Sequence, residues 1–554
     1  MFKKEIVSLL LKEISLKPEQ IESLLEIPPN QEIGDYAFPC FILSKKYKKS
    51  PGEIAERLSK KLKPSKTIQE IKSTGPYLNF FINKQELAKK IIQINANFGR
   101  TDIGKKKKIA IDFSAPNIGK PMHIGHIRST IIGDSMMRIY DFLGYNPIGI
   151  NYLGDVGLHI GKLIVAYEIW LDKESLKKDP IKELLRLYVK FNTKESTNPK
   201  LTEQAKEKIK QIELGEPKTK KIWEEIQKAS GKGFDKVYKM LNINFHETIG
   251  QSNFSGKGKQ VIINALERNI AKREDDGAVY VELDQKGKEK QKKYILRSNQ
   301  TAGYIAQDLG AAVERFKKYQ FEKMIYVTDF RQAQHFDSLF TILKAMKYDF
   351  VNRLTHLPFG TVNFGKEIME TRKGKIILLQ EVLDKTIEKA EKEIKKRKTK
   401  GDKIKVGTGA IKYIILKNEP KRDVSFSWEQ ALSFEGNTGP YLQYSYARAS
   451  SIIKKAKSFK KSSTAIPELN NSEKTLLIKI SKFPEIVTDA EKSMNPALIA
   501  NYSFELAKTF SEFYAQCKVI GDECEGFRLK LVDAFRTTLK NALHLLGIEV
   551  MEEM

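Results

Sequence analysis

The chain is 554 residues long and carries 97 lysines and arginines against 69 aspartates and glutamates, a formal net charge of +28. With 41% apolar and 30% charged residues it can bury two to four domain cores, which excludes a fibrous or disordered chain. No apolar run reaches membrane length, and Cys40, Cys517 and Cys524 are too few and too scattered for a disulfide framework or metal cluster. A reducing cytosol is the simplest setting for such a chain. The basic balance favours nucleic acid or another anionic surface as partner. The alternative is general lysine enrichment, with runs such as 105–108 and 395–398 serving as solvated faces.

Residues 1 to about 100 read as a small basic α/β module. Ile6, Leu9, Leu10 and Ile14 recur at helical spacing, so the chain opens on an amphipathic helix rather than a signal peptide. Pro51 opens a further helix at a first-turn position. Gly75 to Asn83 alternates as a strand.

From Lys108 to Tyr152 the pattern is strand, helix, strand, the length of a βαβ unit. Ile109, Ile111 and Phe113 alternate with Ala110 and Asp112. After the turn 114–122 comes His123-Ile124-Gly125-His126. Ile127, Ile131, Ile139 and Phe142 then form one helical stripe, which should stop near Gly144. The second strand is 148–153, closed by Gly154-Asp155.

A helix N-terminus offers unpaired N–H groups and the positive end of its dipole, the usual seat of a phosphate. Gly119 and Gly125 let backbone and ligand approach closely. His123 and His126 lie three residues apart, so both rings can project to one side and donate to phosphate oxygens. The other reading of the pair is a helix cap. A zinc site is disfavoured, because no third ligand lies at suitable spacing in this turn.

These residues carry a resemblance. His-Ile-Gly-His after a strand is similar to the signature of class I aminoacyl-tRNA synthetases. The wider text, 114–130 and 151–155, resembles the arginyl-tRNA synthetases, and the resemblance covers nearly the whole chain. It implies a multidomain α/β protein of three parts. Residues 1–100 would be an N-terminal domain binding the elbow of tRNA. Residues 101–404 would be a catalytic domain with a Rossmann-type parallel sheet and a charged helical insertion at about 174–241. Residues 405–554 would be an all-helical anticodon-binding domain. Alternating strands and helices at 303–336 agree with a doubly wound sheet, whose ligands sit beyond the carboxyl ends of the strands.

The resemblance also implies the chemistry: ATP-dependent activation of arginine and its transfer to tRNA(Arg), with Mg²⁺ beside the phosphates, in a cytoplasmic monomer. His123, His126, Lys120 and Lys373 would be catalytic. Gly119, His123, Gly125, His126, Met369 and Arg372 would bind ATP. A guanidinium is planar and always charged, and it needs a carboxylate in fork geometry. Tyr304 and Asp308, one helical turn apart, would flank it, with Asp112, Asn117 and Gln332 completing the amino-acid pocket.

Two departures stand out. Ala306-Gln307 replaces the Thr-Arg often found between the Tyr and the Asp. The Lys-Met-Ser-Lys-Ser loop of class I enzymes corresponds here to 368–374, where Ile368 and Thr371 replace the lysines. Lys120, just before the His-Ile-Gly-His motif, holds a position thought to compensate.

Further on, 434–444 resembles the start of the family's anticodon-binding domain. Tyr441 and Tyr444 would bind tRNA by stacking on unpaired bases, or else pack between helices. Two rivals are another class I ligase, such as a cysteinyl or leucyl enzyme, and a non-catalytic RNA-binding relative that kept the fold.

Overall fold

The computed structural model describes residues 2–28, 30, 32–283, 291–298, 304–364, 378–456 and 465–554. The N-terminal part is an antiparallel sheet of Tyr36–Pro39, Tyr77–Ile82 and Ile68–Thr74, in that spatial order, with helices packed on it. The helix Pro51–Lys61 starts as its sequence dictates. Ser50 caps it by accepting from the Glu53 N–H, Glu53 returns the bond to the Ser50 N–H at 2.9 Å, and Pro51 fills the first helical position. The first helix closes at Leu10, one turn short of the apolar stripe that ends at Ile14.

The central element is a five-stranded parallel sheet. Its strands are β1 (Lys108–Asp112), β2 (Asn146–Leu153), β3 (Glu247–Gly250), β4 (Lys323–Asp329) and β5 (Leu354–Phe359). The spatial order is β5-β4-β1-β2-β3, so the chain reverses direction across the sheet on either side of β1. Ligands of such sheets bind at that switch point, outside the carboxyl ends of the strands. β1 is apolar on both faces, with Ile109, Ala110 and Ile111 at 1% exposure or less, as a strand covered on both sides requires.

Helix α1 (Ile124–Phe142) follows β1 and is buried almost throughout. The insertion after β2 is helical, as its charge and periodicity indicate. It contains α2 (Pro180–Glu195) and α3 (Pro217–Met240). A three-stranded antiparallel ribbon, Ala271–Arg273, Val279–Leu283 and Gln291–Leu296, precedes α4 (Tyr304–Tyr319). After β4 a short 3₁₀ turn, Phe330–Gln332, leads into α5 (Ala333–Ala345).

The C-terminal region is helical, with long helices Gly439–Lys455, Ala497–Gln516 and Glu525–Leu545. Phe510 stacks on Phe535 in its core with ring centroids 3.8 Å apart. One segment departs from the all-helical expectation for 405–554. Val424–Phe426 is a strand that pairs in parallel with Val362–Phe364. Arg128 of α1, which is fully buried, donates to the carbonyls of Thr361, Glu419, Pro420 and Arg422 and so fastens this strand pair to α1.

Candidate active site

A cavity of about 560 Å³ opens at the carboxyl ends of β1 and β4. That is the size range of small-molecule sites. Of the expected site residues, Asp112, Asn117, His123, Gly125, His126, Tyr304, Asp308 and Gln332 all line it, although they come from segments up to 220 positions apart.

The loop leaving β1 is held in an uncommon conformation. Ser114 and Ala115 have φ of +73° and +49°, left-handed values that such side chains adopt only when the surroundings impose them. Here Ser129 Oγ accepts from the Ser114 N–H at 2.9 Å, Asn151 Oδ1 accepts from the Ala115 N–H, and the Tyr238 hydroxyl of α3 lies 2.8 Å from Ser114 Oγ. The insertion therefore braces the turn that presents the histidines.

Those histidines form a reciprocal cap. His123 Nδ1 accepts from the Gly125 N–H at 3.0 Å, and His126 Nδ1 accepts from the His123 N–H at 3.1 Å. Their ring centroids are 4.0 Å apart. The helix cap is formed, and both capping rings also line the cavity. An Nδ1 that accepts a bond carries no proton, so the cap places the proton of each neutral ring on Nε2 as a donor. Burial lowers the pKa of both rings. In His123 the nearby Lys120 and Arg331 charges lower it further, and in His126 burial and the neighbouring His123 bring it to about 3. Both imidazoles are therefore neutral at pH 7. Gly125 is required sterically, since a Cβ there would lie 2.8 Å from the His123 ring.

Two expected residues sit elsewhere. Gly119 does not line the cavity. Its φ is +76°, its N–H donates to Ser230 Oγ at 2.8 Å, and a Cβ there would meet Leu163 at 2.2 Å. Its smallness lets the turn pack against Leu163. The Lys120 ammonium lies 4.5 Å over the ring of Tyr188 in α2, beside the cavity rather than in it. Met369, Arg372 and Lys373 fall outside the described residues. The described chain leaves that stretch at Phe364 and resumes at Leu378, which bridges to His123, and the Leu379 N–H donates to the Met122 carbonyl at 2.8 Å. Leu378 and Leu379 thus lie beside the histidine turn.

At the other end of the cavity, α4 begins at Tyr304, one helical turn before Asp308. The side chain of Asp308 is 17% exposed and its Oδ2 lies 2.6 Å from His335 Nε2 of α5. The Tyr304 hydroxyl has its pKa raised, first by burial and then by the Asp308 charge. Asp112 is buried and accepts from Arg315 Nη1 at 2.8 Å, and the Arg315 guanidinium lies 4.5 Å over the Tyr152 ring. Burial raises the Asp112 carboxyl to about 6 despite Arg315, leaving it ionised at neutral pH. Gln307, which stands in place of the family's arginine, is buried and donates to Ser255 at 3.2 Å.

The sequence reading did not single out His335, Arg315, Tyr326 or Arg331. His335 follows Gln332 by three residues and Arg315 follows Asp308 by seven, which places each pair on one helical face. That spacing was the available signal. Of the two tyrosines named for tRNA, Tyr444 is exposed at 39%, whereas Tyr441 packs against Phe504 and its hydroxyl meets Ser511 at 3.2 Å. Among the described residues no group of three or more His, Cys, Asp or Glu side chains is placed to hold a metal ion. No helix among them is long and apolar enough to cross a membrane.

The comparisons with known proteins agree with this geometry. Residues 89–428 match the family model for the catalytic domain of tRNA synthetases class I (R), 2–82 the arginyl tRNA synthetase N-terminal domain, and 442–554 the DALR anticodon binding domain. Curated proteins named arginine–tRNA ligase are 40% identical over 567 residues (Halothermothrix orenii) and 38% identical over 569 residues (Clostridium perfringens), each aligned over 100% of both chains. The crystal structure of arginyl-tRNA synthetase from Plasmodium falciparum superposes with a TM-score of 0.84 at 26% identity, covering 100% of this chain and 99% of that one. The Thermus thermophilus arginyl-tRNA synthetase shares the fold, with a TM-score of 0.82 at 24% identity over 100% of this chain and 99% of that one. With family models and full-length relatives in agreement, the chain belongs to the class I arginyl-tRNA synthetases.

Proposed function

We propose that this chain is an arginine–tRNA ligase, which activates L-arginine with ATP and esterifies it to the terminal adenosine of tRNA(Arg). The observation that carries the reading is the pairing, in one cavity, of an anionic end at Asp308 and Tyr304 with a helix N-terminus bearing His123 and His126. The first suits a guanidinium. The second suits a triphosphate.

In the first step a carboxylate oxygen of arginine attacks the α-phosphorus of ATP, and the bond to the bridging oxygen breaks as pyrophosphate leaves. The neutral Nε2–H groups of His123 and His126 donate to phosphate oxygens as charge develops on them. Lys120, Arg372 and Lys373 supply positive charge, Met369 and Gly125 complete the nucleotide site, and Gly119 holds the turn. In the second step a ribose hydroxyl at the tRNA terminus attacks the arginyl carbonyl carbon, and AMP leaves. Magnesium would accompany ATP as the counter-ion of its phosphates.

Asp308, Tyr304 and Gln332 hold the arginine side chain and Asn117 its head group. Asp112 acts through its pair with Arg315. A neutral amino acid in this pocket would leave the Asp308 charge unpaired, so discrimination needs no editing step. Residues 1–100 meet the elbow of the tRNA and 405–554 its anticodon, with Tyr444 available for stacking. A cytoplasmic monomer is the simplest form.

The reading is tested by charging tRNA with each radiolabelled amino acid, alongside pyrophosphate exchange with and without tRNA. Charging with arginine alone, and exchange only when tRNA is present, is the expected outcome. Charging with another amino acid moves the pocket to a different class I specificity. No charging by a folded protein that still binds tRNA favours the non-catalytic relative.

A further inference from the structure

A carboxylate that reads a guanidinium must present its lone pairs in a fixed direction. Asp308 sits in the first turns of α4 and has no partner on its own helix among the bonds described. Its direction is set from α5 by His335 Nε2, 2.6 Å from Oδ2, while the buried Tyr152 hydroxyl of β2 also faces the carboxylate. Both side chains are mostly buried, at 17% and 24% exposure. His335 is itself held, with its ring edge-on to Phe336 at 5.4 Å, and Phe336 is stacked on His356 at 4.6 Å. His335 and Tyr304 together form the wall between the main cavity and a side cavity of about 250 Å³.

We infer that His335 is a positioning residue for arginine specificity: its Nε2–H occupies one lone pair of Asp308 Oδ2 and turns the remaining lone pairs toward the substrate guanidinium. A carboxylate has about four acceptor sites, so one bond to His335 leaves room for a bidentate fork. This inference rests on the reading of Asp308 as the guanidinium partner.

The experiment is tRNA-dependent, arginine-dependent pyrophosphate exchange with the full-length chain, measuring KM for arginine and for ATP separately from kcat. His335→Leu removes the donor and is expected to raise the arginine KM roughly ten- to a hundredfold, with the ATP KM and kcat within about twofold. His335→Gln, which keeps an N–H at similar reach, should remain within a few-fold of the parent. His335→Asn, one methylene shorter, should behave like the leucine variant. This Gln/Asn pair carries the test if the leucine variant does not fold. The double variant with Asp308→Asn should be no worse than Asp308→Asn alone. An unchanged arginine KM in the leucine and asparagine variants, or equal losses toward arginine and ATP, overturns the inference while the Asp308 variant remains defective. If Asp308→Asn itself leaves the arginine KM unchanged, the guanidinium reading fails and the inference with it.

Discussion

Arg315 donates to Asp112 at 2.8 Å beneath the substrate cavity, joining α4 to the carboxyl end of β1. Both side chains are buried, at 3% and 4% exposure. Of the three aspartates that line the cavity, Asp112 is paired with Arg315 and Asp329 with Arg331, which leaves Asp308 to meet a cation. Replacing Arg315 by Met leaves Asp112 buried and unpaired, and is expected to lower stability by about 3–5 kcal/mol. Adding Asp112→Asn should recover part of that loss. Urea unfolding of the single and double variants checks this, and a single variant as stable as the parent would refute it.

The histidine cap has a pH consequence. His126 titrates at about 3 in the fold, whereas an unfolded histidine titrates near 6.5. Below about 6.5 the unfolded chain binds the proton and the folded one does not. Stability is therefore fully present above that value and is lost as the pH falls toward 3. Between pH 7 and pH 5 the parent should lose about 2 kcal/mol more than His126→Gln. Denaturant midpoints of both proteins at the two pH values measure the difference.

Lys120 lies on Tyr188 rather than in the cavity, and the proposed reaction uses it for its charge. Lys120→Met should slow kcat of pyrophosphate exchange about a hundredfold, with arginine KM unaltered. Lys120→Arg should retain more activity than Met. A methionine variant at parental rate would remove the residue from the mechanism.

Gly119 separates packing from nucleotide binding. Gly119→Ala places a methyl against Leu163 at a left-handed φ, so it is expected to cost about 1–3 kcal/mol of stability. Near 20 °C, where the variant remains folded, its ATP KM should match the parent. A raised KM without lost stability would restore Gly119 to the nucleotide site.

Much of this was legible in the sequence because it is local. The alternation at 109–113, the histidine turn and the stripe to Phe142 specify strand, turn and helix within one stretch, and α4 places Tyr304 and Asp308 one turn apart as spacing alone requires. What escaped was long-range. Arg315 and Asp112 lie 203 positions apart, and His335 reaches Asp308 from another helix, 27 positions away. Nothing in either local pattern announces the partner. The ribbon 271–296 passed unread because its strands are short and interrupted by charged residues. Gly119 was ambiguous for a related reason. Glycine marks close approach without saying to what, and here the neighbour is Leu163 of the chain itself.

Arg128 gives its bonds to carbonyls at 361, 419, 420 and 422, and those carbonyls come late in the polypeptide. The arginine belongs to a helix complete by residue 142. The receiving half of this joint therefore has nothing to close on until the donating half has formed. One side chain 233 positions upstream of Thr361 thus holds the entry to the last third of the molecule in place, so a change at that arginine would be felt far along the chain from where it is made.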